Sequence, residues 1–561
     1  MLVRGMHCGS LVMVCCILSS NFCSAAEAFS QAKTSMEVSV ESFTVLAIAS
    51  PEPAGQQAAW GDYDNDGDLD LLIARPPGLF RNDGGGSFLQ VSLSLPYSQR
   101  AAWADFDRDG YLDFLLGDPT GNRIFQNDRS GGFVFVEPLL AGVRAISTID
   151  ADNDGDVDIL EKGPSQNPFS GSPITRFYRN DGRGVFTLLP GIFPDLQSNG
   201  ALEWNDYDYD GDWDLLLGGY TEAQPLKLYR NDTRGVFAET LVNLPWDSTE
   251  VSWIDYDNDR RVDVVMTGTR LFKNLGNSFS NVTEAAGLCC GNNGVWGDFD
   301  GDGWHDVMIA APALAGVQPG RIFRNLRNGN FAQTEPPLPS VADDGSAWGD
   351  YDNDGDLDLV LTGASGLGPA KLVRNNSATS NALPSIPINL SATVLSGGQV
   401  LLSWSPSTDS GVWASITYNL RVGRTPGGID VMSPEADLAT GWRRVARVGN
   451  AGATNVWKLW LPPGQYYWSV QAIDSSFAGS GFSEEGTFVI TAPVIVQQGI
   501  SAGRVNLRFS GAAGLQYSVQ VSPNLVTWST AGGATEVSPG VFEFEDTSVN
   551  QGSRFYRISS P

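Results

Sequence analysis

From residue 39 to residue 377 the chain alternates short apolar stretches with polar turns, and the alternation itself repeats. In the first copy one stretch ends at Trp60, a second runs from Leu69 to Ala74, a third from Leu79 to Arg81, and a fourth carries Phe88. Stretches this short, bounded by turn residues, predict strands rather than helices. A Trp closes the first stretch in six copies, at Trp60, Trp103, Trp204, Trp253, Trp296 and Trp348, with Thr148 in the third. An Asn follows the third stretch at Asn82, Asn127, Asn180, Asn231, Asn274, Asn325 and Asn375, and its tolerance of positive φ suits a turn there. A Phe follows in all copies but the seventh, at Phe88, Phe133, Phe186, Phe237, Phe279 and Phe331.

Between the first and second stretches lies an acidic nonapeptide, and its seven copies begin at residues 62, 105, 150, 206, 255, 298 and 350. The separations are 43, 45, 56, 49, 43 and 52 residues, a mean of 48. That length holds four short strands with their turns, which is one blade of a β-propeller. The phenylalanine missing after Asn375 has a counterpart at the start of the domain, where Glu41 to Leu46 resembles Gly86 to Val91. The N-terminal segment is therefore expected to supply the outer strand of the last blade and to close the ring, removing open sheet edges. The interval from each acidic string to its Asn varies more than the interval from Asn to the next string. Insertions thus collect between strands two and three, on the face opposite the acidic hairpins, with Lys162 to Thr175 and Ala311 to Gly320 the longest. Variable loops on a rigid scaffold are where ligand binding is expected.

The strings read D-x-D-x-D-G-x-x-D, and the acids at positions 1, 3, 5 and 9, with the main-chain carbonyl at position 7, form a set of hard oxygens suited to Ca²⁺. The candidate ligands are Asp62, Asp64, Asp66, Asp68 and Asp70; Asp105, Asp107, Asp109, Tyr111 and Asp113; and Asp150, Asp152, Asp154, Asp156 and Asp158. They continue with Asp206, Asp208, Asp210, Asp212 and Asp214; Asp255, Asp257, Asp259, Arg261 and Asp263; Asp298, Asp300, Asp302, Trp304 and Asp306; and Asp350, Asp352, Asp354, Asp356 and Asp358. Four carboxylates on nine residues repel one another unless a cation joins them. An EF-hand is excluded, because position 12 is a strand residue such as Ile73, Leu116 or Leu361, with Glu161 the exception. The fifth string has Arg260 in place of Gly and Arg261 beside it, which weakens the case for an ion there. His305, at position 8 of the sixth, is expected to play a structural part, and the repeated tryptophans are expected to pack between blades.

These motifs resemble the VCBS or FG-GAP repeat, the calcium-loop blade also found in integrin α-subunits, over residues 39 to 377. The resemblance implies a seven-bladed propeller with calcium in the hairpin between the first two strands of each blade. It also implies ligand binding on the opposite face. Beyond a polar linker at 376 to 387, residues 384 to 491 resemble a fibronectin type III domain, with Trp404 in the core and Tyr467 as the tyrosine of the corner. Such a domain is expected to act as a spacer. Within it, Trp442, Trp457 and Trp460 can form core or an apolar edge. Residues 492 to 561 alternate as short strands and resemble small C-terminal β-sandwich modules of exported bacterial proteins. The fold class expected is all-β throughout.

Composition narrows the function. A chain of 561 residues holds two to four domains. With 35 Lys and Arg against 64 Asp and Glu, the net charge of -29 disfavours nucleic acid and anionic lipid. The seven strings hold 32 of the 64 acids, so one device accounts for half of them. Two histidines, His7 and His305, are too few for a typical zinc hydrolase. Residues 1 to 26 have the charged start, apolar stretch and small-residue end of an export signal, and no other stretch is apolar and long enough to span a bilayer. Of six cysteines, Cys289 and Cys290 alone lie beyond that signal, either as a vicinal disulfide or as two small buried residues. The expected protein is secreted or at the cell surface, binds calcium, is not an enzyme, and recognises an extracellular protein or glycan. The alternatives are a calcium-dependent polysaccharide lyase or related carbohydrate-active enzyme, and a structural surface or matrix component.

Overall fold

The computed structural model describes residues 43–559 except 48–55, 118–120, 137–144, 165–172, 197–200, 219–225, 241, 246–250, 268, 277, 289–292, 311–318, 335–336, 340–344, 363–369, 378–379, 396–397, 410–414, 502–503, 512–515 and 548–553. The expected export signal, the cysteine pair and most of both long insertions lie outside the described residues.

Residues 43 to 375 form seven four-stranded antiparallel sheets. The first comprises Gln56–Gly61, Asp70–Arg75, Pro77–Asn82 and Phe88–Val91, hydrogen-bonded in chain order. Gly61 pairs with Asp70 and Trp60 with Leu71, so the acidic string is the hairpin loop between the first two strands, as the sequence predicts. The second strand is buried almost throughout because both its faces meet side chains of neighbouring sheets. The fourth is exposed in the middle, as expected for an outer strand. The last sheet is completed by Phe43–Ala47, which pairs with Lys371–Asn375 from Phe43 opposite Asn375 to Ala47 opposite Lys371. Strands from both ends of the propeller therefore share one sheet.

The repeated residues join sheets as well as forming them. Trp60 donates from Nε1 to the Ala347 carbonyl at 3.2 Å, Trp103 to that of Ala59 at 3.2 Å, and Trp348 to that of Val295 at 3.0 Å. Where such a ring lies over the residue that follows the neighbouring sheet's Trp, that residue must be small. A β-carbon on Gly61 would stand 2.8 Å from the Trp103 ring, and one on Gly349 2.7 Å from Trp60.

The repeated Asn does not act through a positive φ, because none of the seven adopts one. Its side chain is the functional part. Asn82 donates from Nδ2 to the Tyr351 carbonyl at 2.7 Å, Asn127 to that of Tyr63 at 2.8 Å, and Asn180 to that of Phe106 at 3.0 Å. Asn231, Asn325 and Asn375 reach Ala151, Tyr256 and Phe299 in the same way. Each such Asn is buried and ties its sheet to the acidic loop of the preceding one.

Two further β units follow. The first is a sandwich of one sheet with Ile388–Val394, Gln399–Ser405 and Val456–Trp460, and another with Thr417–Gly423, Gly464–Ile473 and Gly486–Ile490. Trp404 lies in its core, as expected. The tyrosine of the corner is Tyr466 rather than Tyr467. Tyr466 is fully buried and donates its hydroxyl to the Pro462 carbonyl at 2.6 Å, whereas Tyr467 is one residue further along the strand and so faces the other side. The second unit, from Val494 to Ser559, forms a four-stranded and a three-stranded sheet around Phe509, Tyr517 and Phe542.

The first sandwich is more than a spacer, because it lies across the acidic face of the propeller. One hydrophobic cluster runs from Trp204 and Trp213 into Trp404, Trp457 and Trp468. Trp213 and Trp457 meet edge to face at 5.4 Å. Backbone hydrogen bonds cross from Asp62 to Arg444 at 2.8 Å, from Trp460 to Asn153 at 3.0 Å, and from Asp298 to Ser475 at 3.2 Å. Trp457 and Trp460 are buried, and the extended segment before them docks on the propeller, where Trp442 packs against the cluster around Trp60 and Arg447 donates to the Trp103 carbonyl at 3.2 Å.

Candidate functional site

Each acidic string folds the same way because its carboxylates satisfy its own backbone. The position-1 Asp accepts from the amide of position 5 at 3.0–3.2 Å through Oδ1 in all seven loops. Its Oδ2 accepts from the amide of position 6 at 2.7–3.1 Å. Position 5 accepts from the amide of position 7 at 2.8–3.1 Å, so Asp68, Tyr111, Asp156, Asp212, Arg261, Trp304 and Asp356 are held by their backbones.

The position-9 Asp is the keystone between strands. Asp70, Asp113, Asp158, Asp214, Asp263, Asp306 and Asp358 are buried. Each accepts from the amide of position 2 at 2.8–3.3 Å and from the amide of the repeated Asn at 2.6–2.8 Å.

Two positions per loop are left-handed. Position 6 is glycine at φ 93° in Gly67 and an arginine at φ 67° in Arg260, so the fifth loop adopts the shared turn despite its side chain. Position 4 is Asn65, Arg108, Asn153, Tyr209, Asn258 and Asn353 at φ from 53° to 61°, and Gly301 at 65°. Its asparagines link successive loops around the ring. Asn65 donates to the Gly110 carbonyl, Asn153 to that of Gly211 and Asn258 to that of Gly303. Asn353 donates to the Gly67 carbonyl at 3.0 Å, which joins the last loop to the first.

Position 3 differs from the other acids. Asp64, Asp107, Asp152, Asp257, Asp300 and Asp352 each bury an Oδ1 that has no hydrogen-bond partner. In several loops the other oxygen is engaged by the residue just before the repeated Asn. Lys273 pairs with Asp257, Arg324 with Asp300 and Arg374 with Asp352, while Gln126 donates to Asp107. One oxygen is thus held by a strand-three side chain while the other is left over inside the loop. Oxygen atoms of Asp62, Asp64 and Asp66 lie within 4.8 Å of one another, as do those of Asp105, Asp107 and Asp113, of Asp150, Asp152 and Asp158, of Asp206, Asp208 and Asp210, and of Asp255, Asp257 and Asp259. A buried, unpartnered carboxylate oxygen beside further carboxylates is the arrangement a hard cation completes. The residues therefore fit such an ion.

Electrostatics agree with that need. Burial pushes Asp62 up to about 7, Asp113 to about 8 and Asp70 to about 9, against the lowering effect of the amides that bond to them. Neighbouring acids add to the rise, as Asp66 and Asp64 do at Asp62. A divalent ion reverses this balance by favouring the ionised form.

The sandwich contributes to the loops directly. Lys458 places its ammonium 3.1 Å from Asp210 and 3.1 Å from Asp212. Ser475 donates to Asp298 Oδ2 at 3.0 Å, and Ser476 to the Asp298 carbonyl at 2.9 Å. Glu435 accepts from the Asp105 amide at 3.4 Å, and Ser415 donates to the Asp255 carbonyl at 2.9 Å. No spacing within the acidic strings signals these contacts. The strand-three cations do have a sequence signal, since Lys or Arg precedes the repeated Asn in every copy but the second.

Residues 62–116, 105–161, 206–266 and 298–361 match the model of the FG-GAP-like repeat, so the chain carries FG-GAP-like repeats on a β-propeller. Among solved structures the chain is similar to BBS1N in complex with ARL6DN, with 11% identity over 61% of this chain and 98% of that one and a TM-score of 0.41. It is similar to an Agrocybe aegerita lectin described for recognition of non-reducing terminal N-acetylglucosamine, with 17% identity over 51% of this chain and 80% of that one and a TM-score of 0.37. A Xanthomonas campestris gluconolactonase shares 10% identity over 60% of this chain and 96% of that one, with a TM-score of 0.31. No curated protein matches the chain.

Proposed function

We propose that this chain is an exported, non-catalytic binding protein whose propeller is held rigid by calcium in its acidic loops and which presents a surface to an extracellular protein or glycan. The observation that carries the calcium reading is the position-3 carboxylate, which buries an unpartnered Oδ1 in six loops, while a strand-three side chain engages its other oxygen in the second, fifth, sixth and seventh. Asp at positions 1, 3, 5 and 9 would hold the ion, which supplies positive charge and rigidity. Oxygen ligands, carboxylate-rich and in a flexible loop, favour Ca²⁺ over metals that prefer nitrogen or sulfur.

Binding as the purpose of that rigidity follows from the placement of function on a scaffold. The acidic face is largely taken up by the sandwich, which leaves the opposite face as the larger surface for a partner. Among the described residues no helix is long and apolar enough to cross a membrane. The test combines calorimetric calcium titration of the full chain with screening on glycan and extracellular-protein arrays, each in calcium and in chelator. Calcium binding with partner capture that depends on it supports the reading. Absence of calcium binding at millimolar concentration overturns it.

A further inference from the structure

Where the fourth, fifth and sixth loops meet the sandwich, the two units enclose a cavity of about 130 Å³. Its propeller side includes Tyr209, Trp213 and Trp253, and its sandwich side Ile416, Tyr418 and Phe477. The cavity is therefore aromatic on both sides and exists only because the two units dock.

Five residues lining it bury a polar atom without a partner: Asn205 Oδ1, Trp213 Nε1, Trp253 Nε1, His305 Nδ1 and Ser407 Oγ. Buried polar groups are nearly always paired, so five in one cavity call for an explanation. Trp60, Trp103 and Trp348 each donate to a carbonyl of the neighbouring sheet, while Trp204, Trp253 and Trp296, at the same place in their copies, leave Nε1 unpartnered. His305 occupies position 8, which is Leu69, Leu112, Val157, Trp213, Val262 or Leu357 in the other loops. Its hydrogen bond to the Asp255 backbone leaves Nδ1 as the unpartnered nitrogen.

The unpartnered set has a definite chemistry. Two indole N–H groups can only donate, and the Asn oxygen can only accept. The partner that suits such a mixture is a hydroxyl, which does both. Aromatic side chains on opposite sides suit the C–H faces of a saturated ring. Volume limits the ligand to a single ring, since a cavity of roughly 150 Å³ holds benzene. Asp255, Asp474 and Arg260 also line the cavity, so two acids oppose one guanidinium and an anionic ligand is disfavoured.

We infer that this junction cavity binds one neutral pyranose ring, as a free monosaccharide or as one residue of a glycan. The inference rests on reading the chain as a binding protein and narrows its ligand to carbohydrate at a stated place.

The experiment titrates the full chain, in calcium, with the neutral methyl pyranosides of glucose, galactose, mannose and xylose, read by tryptophan fluorescence and calorimetry. One site per chain is expected for at least one of them. Trp253→Phe keeps the ring and removes the donor, and should weaken binding at least tenfold with an unchanged melting temperature. Ile416→Trp fills the cavity and should abolish binding; if it fails to fold, Trp253→Phe still decides. Binding that survives Trp253→Phe at parental affinity places the sugar elsewhere and overturns this assignment while leaving carbohydrate recognition standing. No binding of any pyranoside up to 50-fold above a ~1 mM dissociation constant means that water alone fills the cavity, and overturns the inference. Protein capture on the arrays under Proposed function would then still stand or fall separately.

Discussion

A β-carbon on Gly155 would stand 2.0 Å from the carbonyl oxygen of Val431. Gly155 is the position-6 glycine of the third acidic loop, and Val431 belongs to the sandwich, so this glycine serves both the turn and the docking of the two units. Gly67, its equivalent in the first loop, has the same φ of 93° and nothing within 4 Å of such a carbon.

The pair separates turn strain from contact. Gly67→Ala is expected to cost about 1–2 kcal/mol, the left-handed penalty alone. Gly155→Ala adds overpacking against backbone and is expected to cost about 1–3 kcal/mol more. Thermal unfolding compares their stabilities, and limited proteolysis between the units should show faster cleavage in Gly155→Ala only. Equal behaviour of the two variants would remove the docking role.

Calcium removal should loosen the junction as well as the loops. A loop saturated at 100 times its dissociation constant gains about 2.7 kcal/mol, and several loops act on one ring. Because Asp62, Asp105 and Asp298 bond through their backbones to the sandwich, loop collapse reaches it directly. Excess chelator should lower the melting temperature and quicken proteolysis between the units. An unchanged melting temperature in chelator would sink the calcium reading.

The pH dependence of the third sheet should show two opposed windows. Burial raises Glu161 from 4.5 to about 8 against its hydrogen bond from Asn122, and burial lowers Lys162 from 10.5 to about 7. The Glu161 contribution is full below pH 4.5 and is lost as pH rises through about 8. The Lys162 contribution is full above pH 10.5 and is lost as pH falls through about 7. Each window changes stability by up to about 1.4 kcal/mol per pH unit. In saturating calcium, Glu161→Gln should gain on the parent between pH 5 and 8, and Lys162→Met should gain as pH falls from 10 to 7. Profiles parallel to the parent in both variants would rule this out.

Much of this architecture is legible in the sequence because each copy must satisfy the same local geometry. The acidic string, its glycine and the flanking Trp and Asn mark the hairpin, and the Phe43 segment reveals the closing strand. What escapes sequence reading is what those residues do at a distance. The repeated Asn looks like a turn residue, but its amide bonds to a carbonyl in the preceding loop some 64 to 80 residues away in Asn127 and Asn231. The docking of Lys458 on Asp212, 246 residues apart, leaves no periodic trace. Tyr466 was obscured for another reason: two adjacent tyrosines differ by one step on a period of two, and only packing decides which faces inward.

The fifth loop should improve when its arginines are removed. Arg260 holds φ 67°, and its amide reaches Asp255 Oδ2 at 2.9 Å, the same bond that Gly110 makes to Asp105 and Gly155 to Asp150. The turn is therefore formed, and the side chain bears its strain. Arg260→Gly should recover about 1–2 kcal/mol of left-handed strain. Adding Arg261→Asp removes a second guanidinium from beside the carboxylates and restores the acid found at this position in the first, third, fourth and seventh loops. Lys273 already neutralises Asp257 and Asp259 from strand three, so the ion must compete with an ammonium as well as with two arginines. Calorimetric titration of the double variant is expected to show one more tight calcium site than the parent, with a higher melting temperature in calcium. A higher melting temperature in chelator alone, with the same number of sites, would mean that strain was relieved and Lys273 keeps the ion out. Equal stoichiometry and equal melting temperatures would show that the arginines do not limit this loop.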